Sequence, residues 1–598
     1  MEISLSNGHP GFRRQSARVT VSRKSCQFQP GRSQLPQRFP RRVEAALART
    51  LAAGPLAVQV LLVVLSLAAF LPGFTGLPPV DRDEPRFAQA SRQMLASGDF
   101  IDIRFQDGTR YKKPAGIYWL QSAAVALTGR TEGSAQIWRY RLPSLAAAVL
   151  SVLLTARIAA LFAGAAGGLA AGLLMAGMVL LGAEARLATT DAVLLATVLA
   201  AQSVLARLYG RARDTGFHDR TPLPLAQRAL FWGAMALSLL IKGPVGPMIV
   251  ALTAAALAVA HRRASWLAAL RPLSGLVFLM VLVLPWYVAI TLKAGHAFWD
   301  EALGRDLMAK IGKGQEGHGA PPGTYLGLLW LTFLPASLAL ALALPGVWAA
   351  RRSPGIAFAM AWALPGWLVF EAASTKLVHY VLPLYPALAI AVALVWAAAV
   401  RATIGPWRRL AIGALCALPF ALLAVVGGYA ASHGSLPAPA LFLGAAIAGA
   451  GLWLFARALA GHLPLAALFG LWAVGLGLGT GLFPGLAAIA ALWPAPALLA
   501  LAPPTPACPA HPIVALGYEE PSLVVLSPAP VRFAGAPTAV GALRADPCTV
   551  VIVDRAQTAT LAAAADQAGL ALGAHGQVTA LNIGTGQTQT LTVFGAAP

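Results

Sequence analysis

The chain has 598 residues, of which 58% are hydrophobic and 11% charged, with a formal net charge of +22. Soluble globular chains carry roughly a quarter charged residues, so this composition excludes a soluble multidomain enzyme. The basic excess does not mark a nucleic-acid binder either, because Lys and Arg fall in short clusters between apolar runs, with no basic stripe interleaved with aromatics.

Residues 1–50 hold 10 of the 45 Lys and Arg residues and have no long apolar run. They read as a disordered basic tail on the cytoplasmic side. Leu51–Leu71 follows Arg41, Arg42 and Arg49, and it is too long for a signal-peptide core, so it reads as a first transmembrane helix with its N-terminus inside. Residues 73–116 then form a long charged outer loop, followed by an amphipathic stretch at Ile117–Thr128. Apolar runs at Leu142–Phe162, Leu169–Leu181 and Ala192–Leu208 continue the alternation and place Glu184, Arg186 and Asp191 outside. The cluster Arg207, Arg211, Arg213, Arg220 and Arg228 falls inside. Lys242-Gly243-Pro244 becomes an outer turn, 293–323 a second long outer loop, and Ser374–Tyr380 a short one. Arg262-Arg263, Arg351-Arg352 and Arg408-Arg409 all fall inside. The alternation predicts about thirteen spans, filling residues 51–494 and leaving the C-terminus outside.

After Pro494 a Pro-rich linker leads into a small α/β domain over 495–598. Strands are expected at Ile513–Leu516, Leu523–Leu526, Thr549–Val553 and Thr590–Phe594, with a helix at Thr558–Leu570. Cys508 and Cys548 share this segment; outside the cytoplasm they are free to form a disulfide, although Cys508 lies in the linker. The fold class is therefore a polytopic all-α membrane protein with a small C-terminal α/β domain on the outer side.

The chemistry concentrates in the first outer loop. Between Asp81 and Lys113 lie six acidic and seven basic residues. Asp83 and Glu84 precede Pro85 where a helix is about to begin. Arg86 and Arg92 share that helix with Phe87, Met94 and Leu95, a pattern suited to the membrane interface. Lys112 and Lys113 stand before Pro114 and the aromatic pair Tyr118-Trp119. A lipid phosphate needs cations to hold it, and a phosphate leaving group needs them more as its charge develops. A nearby carboxylate suits a general base toward an incoming hydroxyl. Lys376, in a short outer turn beside His379 and Tyr380, is a further candidate, since charges at the membrane edge tend to be functional. Lys242 reads equally as a lysine snorkelling from a helix end. His318 and His379 read first as surface histidines of outer loops.

These residues carry a resemblance. "DRDEPRFAQASRQML…GD" with "YKKP…YWLQ", "ARLATTDA" around Asp191, "KGPVGP" from Lys242, "GHGAPPGTYLGLL" from Gly317 and "STKLVHYVLPLYPALA" from Ser374 recur, in this order, in the family 39/83 glycosyltransferases of bacterial inner membranes. The sequence resembles that family, which includes the 4-amino-4-deoxy-L-arabinose transferases of lipid A. The resemblance implies a GT-C membrane fold in the inner membrane, with active site and C-terminus periplasmic. It implies a polyprenyl-phosphate sugar donor and a lipid A, lipopolysaccharide or related glycan acceptor. By the same resemblance, Asp83 matches an essential acidic residue and Arg86 a donor-phosphate contact. Lys113 matches the lysine that grips the lipid phosphate, Asp191 a second acidic residue of the cavity, and Tyr380 a tyrosine near the phosphate.

One departure bears on cofactors. The aminoarabinose transferases have a glutamate directly before that lysine, which helps bind a metal; this chain has Lys112, whose charge repels a divalent cation and stands in for it. No cofactor is certain from this pattern: a divalent metal stays open, with Glu84, His318 and His379 as the remaining groups with metal-binding chemistry. Two other activities stay open: a protein O-glycosyltransferase of the same class, and a membrane lipid transporter or flippase. The second would ordinarily carry inverted repeats and polar groups near the bilayer centre, whereas here the charges gather at the outer ends of the spans.

Overall fold

The computed structural model describes residues 35–129, 136–302, 304 and 319–596. Eight helices are long and apolar enough to cross a membrane among the described residues, or nine with the pair Thr324–Thr332 and Ala336–Ala349, bent by 118° at its break. Three shorter apolar helices, Pro55–Phe70, Gly116–Leu127 and Val245–Ala260, accompany them. The chain is thus a multi-pass helical membrane protein.

The longest helix, Trp138–Ala176, has 39 residues and would run about 58 Å if straight, roughly twice the hydrocarbon thickness. It does not run straight. Ala163 and Gly164 leave helical geometry, Gly164 at φ 65°. A Cβ on Gly168 would lie 2.8 Å from the carbonyl oxygen of Ala156, twelve residues earlier. In a straight helix those residues would be about 18 Å apart, so the element folds back as two antiparallel arms.

Leu35–Ala52 corrects the expectation of a disordered tail for its last third. It is an 18-residue helix in which Val43, Leu47 and Leu51 recur every four residues, with Leu47 buried against the bundle. Glu44 accepts from the Ala466 N–H at 2.6 Å, and Gln37 donates to the Arg457 carbonyl. The alternating arginines hid that apolar stripe. Residues 1–34 lie outside the described residues.

Residues 513–596 form a five-stranded sheet in the order Val531–Phe533, Ile513–Leu516, Val550–Asp554, Gln587–Ala596, Leu572–Asn582. The first three strands are parallel and the last two antiparallel to their neighbours. One face packs on Ala495 and Leu498 of the linker helix Pro494–Ala500, the other on helices Ala536–Ala545 and Thr558–Gln567. Residues 523–526, expected as a strand, instead lie in the helix Pro521–Leu526. Pro521 at its N-terminus starts a helix readily, and a short buried apolar run does not by itself distinguish the two structures. Cys508 and Cys548 are disulfide-bonded, tying the linker to the turn before Val550–Asp554.

This domain sits on the first loop of the bundle. Gln106, at the tip of a small hairpin (Arg104–Phe105 with Gly108–Thr109), donates to the Val531 carbonyl at 2.6 Å. Arg92 donates to the carbonyls of Val524 and Val525. Val525 packs with Ala88, Tyr140 and Ala188.

Candidate active site

Helix Asp83–Ser97 begins with two acids in its first turn, where the positive end of the helix dipole favours them. Neighbouring helical positions diverge by about 100°, and the two carboxylates have opposite environments. Glu84 points inward. Its oxygens accept from Arg141 Nε at 2.7 Å and Nη2 at 2.9 Å, from the Val80 N–H at 2.9 Å and from the Ala188 N–H at 2.8 Å. The side chains of this pair are 0% and 1% exposed. Arg141 also donates to the carbonyls of Phe74, Leu77 and Pro78. Glu84 is thereby spent as the anchor of the loop and is free neither for proton transfer nor for a metal, which corrects its candidacy.

Asp83 faces the other way and is 63% exposed. Arg110, itself buried over the ring of Phe87, reaches the Asp83 carboxylate at 3.4 Å. Partial desolvation by the surrounding protein would on its own raise the Asp83 carboxyl, but Arg110, then Lys113, Arg86 and His379, outweigh it and hold the group below the ordinary carboxylate range. It stays ionised at neutral pH.

Lys113 donates to the carbonyl of Lys112 at 3.0 Å, and both lysines are half-buried. Their position follows from Gly116, where a Cβ would lie 2.7 Å from the Leu240 carbonyl. Only glycine lets the loop press this close to the end of helix Leu225–Lys242. That contact brings the lysine pair to the edge where Lys242 stands. Gly243, at φ 64°, then turns the chain into the next helix.

Asp191 opens helix Asp191–Asp214 and pairs with Lys242 at 2.6 Å. The Lys242 ammonium also lies 5.1 Å from the centre of the Tyr380 ring. His379 bridges the acids: its Nδ1 is 3.7 Å from Glu184 and its Nε2 3.7 Å from Asp191. Glu184 accepts from the Thr189 hydroxyl at 2.9 Å. Lys376, buried in the same turn as His379, donates to the Ala373 carbonyl at 2.6 Å. The turn is braced by a bridge between Gly319 and Thr375.

The structure thus brings Asp83, Arg86, Lys113, Asp191, His379 and Tyr380 to one end of the bundle, with Lys112 and Lys376 at its margins. His318 lies outside the described residues. Sequence reasoning missed Arg110 and Glu184 and left Lys242 undecided. The signal for Lys242 was its place opposite Asp191 in the alternation; Arg110 offered none beyond proximity to the lysine pair. Cations outnumber carboxylates here, so this cluster suits an anionic ligand, with Asp83 as its exposed carboxylate. A divalent metal does not fit this arrangement. His379 presents different nitrogens to its two carboxylates, Lys242 occupies Asp191, and among the described residues no three of His, Cys, Asp and Glu form a ligand set.

Residues 112–288 match the family described as dolichyl-phosphate-mannose-protein mannosyltransferase. Over 391 residues the chain is 28% identical to the undecaprenyl phosphate-alpha-4-amino-4-deoxy-L-arabinose arabinosyl transferase of Pectobacterium carotovorum, covering 61% of this chain and 64% of that one. The protein of the same name from Aeromonas salmonicida is 27% identical, covering 61% and 67% respectively. The matched region thus spans about two thirds of these relatives' length. The crystal structure of ArnT from Cupriavidus metallidurans bound to undecaprenyl phosphate superposes with a TM-score of 0.69 at 19% identity, covering 89% of this chain and 97% of that one. The fold is the GT-C type, and the sequence resembles the aminoarabinose transferases, as the outer-loop motifs implied.

Proposed function

We propose that this chain transfers a sugar from a polyprenyl-phosphate donor to a lipid A, lipopolysaccharide or related glycan acceptor on the periplasmic face of a bacterial inner membrane. The observation that carries this reading is the exposed Asp83 carboxylate, ringed by Arg110, Lys113 and Arg86 at the end of the bundle. Thirteen spans follow if the bent pair Thr324–Thr332 and Ala336–Ala349 counts as one span and both arms of Trp138–Ala176, the shorter helices Pro55–Phe70 and Val245–Ala260, and helix Leu225–Lys242 all cross. That number puts the active site and the C-terminal domain on the same outer side.

In the reaction the bond from the anomeric carbon to the donor phosphate breaks and a bond to the acceptor oxygen forms. The polyprenyl phosphate leaves with the bonding electrons. Lys113, with Arg86 and Lys112, stabilises the negative charge that grows on the phosphate. Asp83 accepts the proton when the acceptor is a hydroxyl. When the acceptor is a phosphate it is already ionised, and Asp83 steadies the positive charge developing on the sugar. Lys242 and Tyr380 with Asp191 and His379 form the opposite wall, and Lys376 holds the turn beside them.

A protein acceptor is the second reading, favoured by the match of residues 112–288 to protein mannosyltransferases. Mass spectrometry of lipid A and core oligosaccharide, with and without the gene, separates the two. Loss of a sugar mass from either glycan supports the first reading. Unchanged glycans with a sugar lost from a membrane or periplasmic protein support the second.

A further inference from the structure

At the opposite end of the bundle from Asp83, a recess of about 370 Å3 opens between helix Pro55–Phe70, both arms of the folded helix Trp138–Ala176, and helix Asp191–Asp214. Its walls are apolar, chiefly Val58, Leu62, Leu153 and Ala156, apart from Gln59, Arg157 and Arg207. Arg157 lies six residues before the turn at Ala163 and Arg207 seven before the helix end at Asp214. Both therefore stand about 9–10 Å in from the same end of the bundle. Among the described residues, neither guanidinium donates a hydrogen bond nor pairs with a carboxylate, and both are exposed. The neighbouring Arg211 differs: it pairs with Asp219 and donates to the Thr221 carbonyl.

We propose that this recess binds one anionic phospholipid of the inner leaflet, its phosphate held by Arg157 and Arg207 and an acyl chain laid along the apolar wall. Two unneutralised arginines at the cytoplasmic edge of an apolar recess offer a lipid phosphate two cations beside a hydrocarbon wall for its chain. Guanidinium forks match phosphate oxygens in geometry as well as charge. Basic recesses between helices on the cytoplasmic side favour acidic headgroups. The occupant is a lipid rather than free phosphate because the rest of the lining is hydrocarbon. The inference needs the fold and the membrane orientation but not the transfer reaction, so it stands or falls separately from the assignment of Asp83.

The test is native mass spectrometry of the purified full chain equilibrated with equal amounts of phosphatidylglycerol and phosphatidylethanolamine. The wild type is expected to keep one phosphatidylglycerol at collision energies that strip phosphatidylethanolamine, and added inorganic phosphate should not displace it. Arg157→Gln with Arg207→Gln should lose that retention by roughly tenfold or more. Ala165→Trp, which fills the mouth of the recess from an exposed position and leaves both arginines, should lose it as well; it decides the matter if the double variant does not fold. Arg262→Gln with Arg263→Gln removes basic charge elsewhere and should behave as wild type. Equal retention in the wild type and Ala165→Trp, or no preference between the two lipids, would overturn the proposal.

Discussion

Asp81 and Ser522 join the first loop of the bundle to the C-terminal domain: the Asp81 carboxylate accepts from the Ser522 N–H at 2.7 Å and from its hydroxyl at 2.6 Å. Asp81 lies two residues before Asp83, so any slip at this junction shifts the start of the helix that aims the exposed carboxylate.

The junction should be sensitive to pH. Burial pushes the Asp81 carboxyl from 3.8 up to about 7; Glu520 adds to the rise, and the Ser522 hydrogen bonds and Arg86 oppose it. A carboxyl whose folded value is raised gives stability that is complete below its unfolded value and is lost as pH climbs through the folded one. The domain should therefore hold the loop more tightly at about pH 5 than at about pH 8. Hydrogen exchange across 518–526, corrected for intrinsic rates, should quicken over that interval. In Asp81→Asn the excess should vanish, and an identical pH response in that variant would refute the assignment.

Glu84 and Arg141 should matter for folding more than for chemistry. Removing one partner of a buried, fully hydrogen-bonded ion pair costs roughly 3–5 kcal/mol. Glu84→Ala is expected to lower the unfolding temperature and yield of folded protein sharply, with Asp83→Asn close to wild type. Thermal unfolding in detergent would show this. A Glu84→Ala variant as stable as wild type but inactive would return Glu84 to the chemistry.

The contrast between Asp83 and Glu84 marks how far sequence reasoning reaches. The multi-pass helical character was legible, because apolar run length reports on the membrane directly, and the β-rich runs after residue 510 announced the sheet. Which of two adjacent acids turns inward was not, since that depends on Arg141, 57 residues away. Arg110 and Glu184 were hidden for the same reason: their partners come from distant segments. The helix Leu35–Ala52 was concealed by its own charges, and Pro521–Leu526 by a β-branched pair inside a short helix.

One contact ties the first loop and the C-terminal domain to a single side of the membrane. Because the Gln106 side chain donates to Val531, the first loop and the C-terminal domain must share a compartment. Reporter fusions at Gln106 and Gly576 should read as periplasmic, and fusions at Arg213 and Arg409 as cytoplasmic. A cytoplasmic signal at Gly576 would break the thirteen-span count.

Chelation should leave transfer largely intact. Lys112 stands beside Lys113, which we propose holds the donor phosphate, and an ammonium there repels a divalent ion while supplying its charge. Complete loss of activity in EDTA, restored by zinc or manganese, would show that this reading of the site is wrong.

The most direct measurement of the central claim is donor affinity and single-turnover rate, taken separately for wild type, Lys113→Ala and Asp83→Asn with a polyprenyl-phosphate sugar. Losing a cation that acts mainly on the leaving phosphate should slow turnover by a hundredfold or more, roughly 3–4 kcal/mol, with a smaller effect on donor binding. Asp83→Asn keeps the shape and removes the charge, so the account predicts a nearly normal donor affinity and no detectable transfer. Near-wild-type turnover in Asp83→Asn would contradict it and take the first outer loop out of the active site.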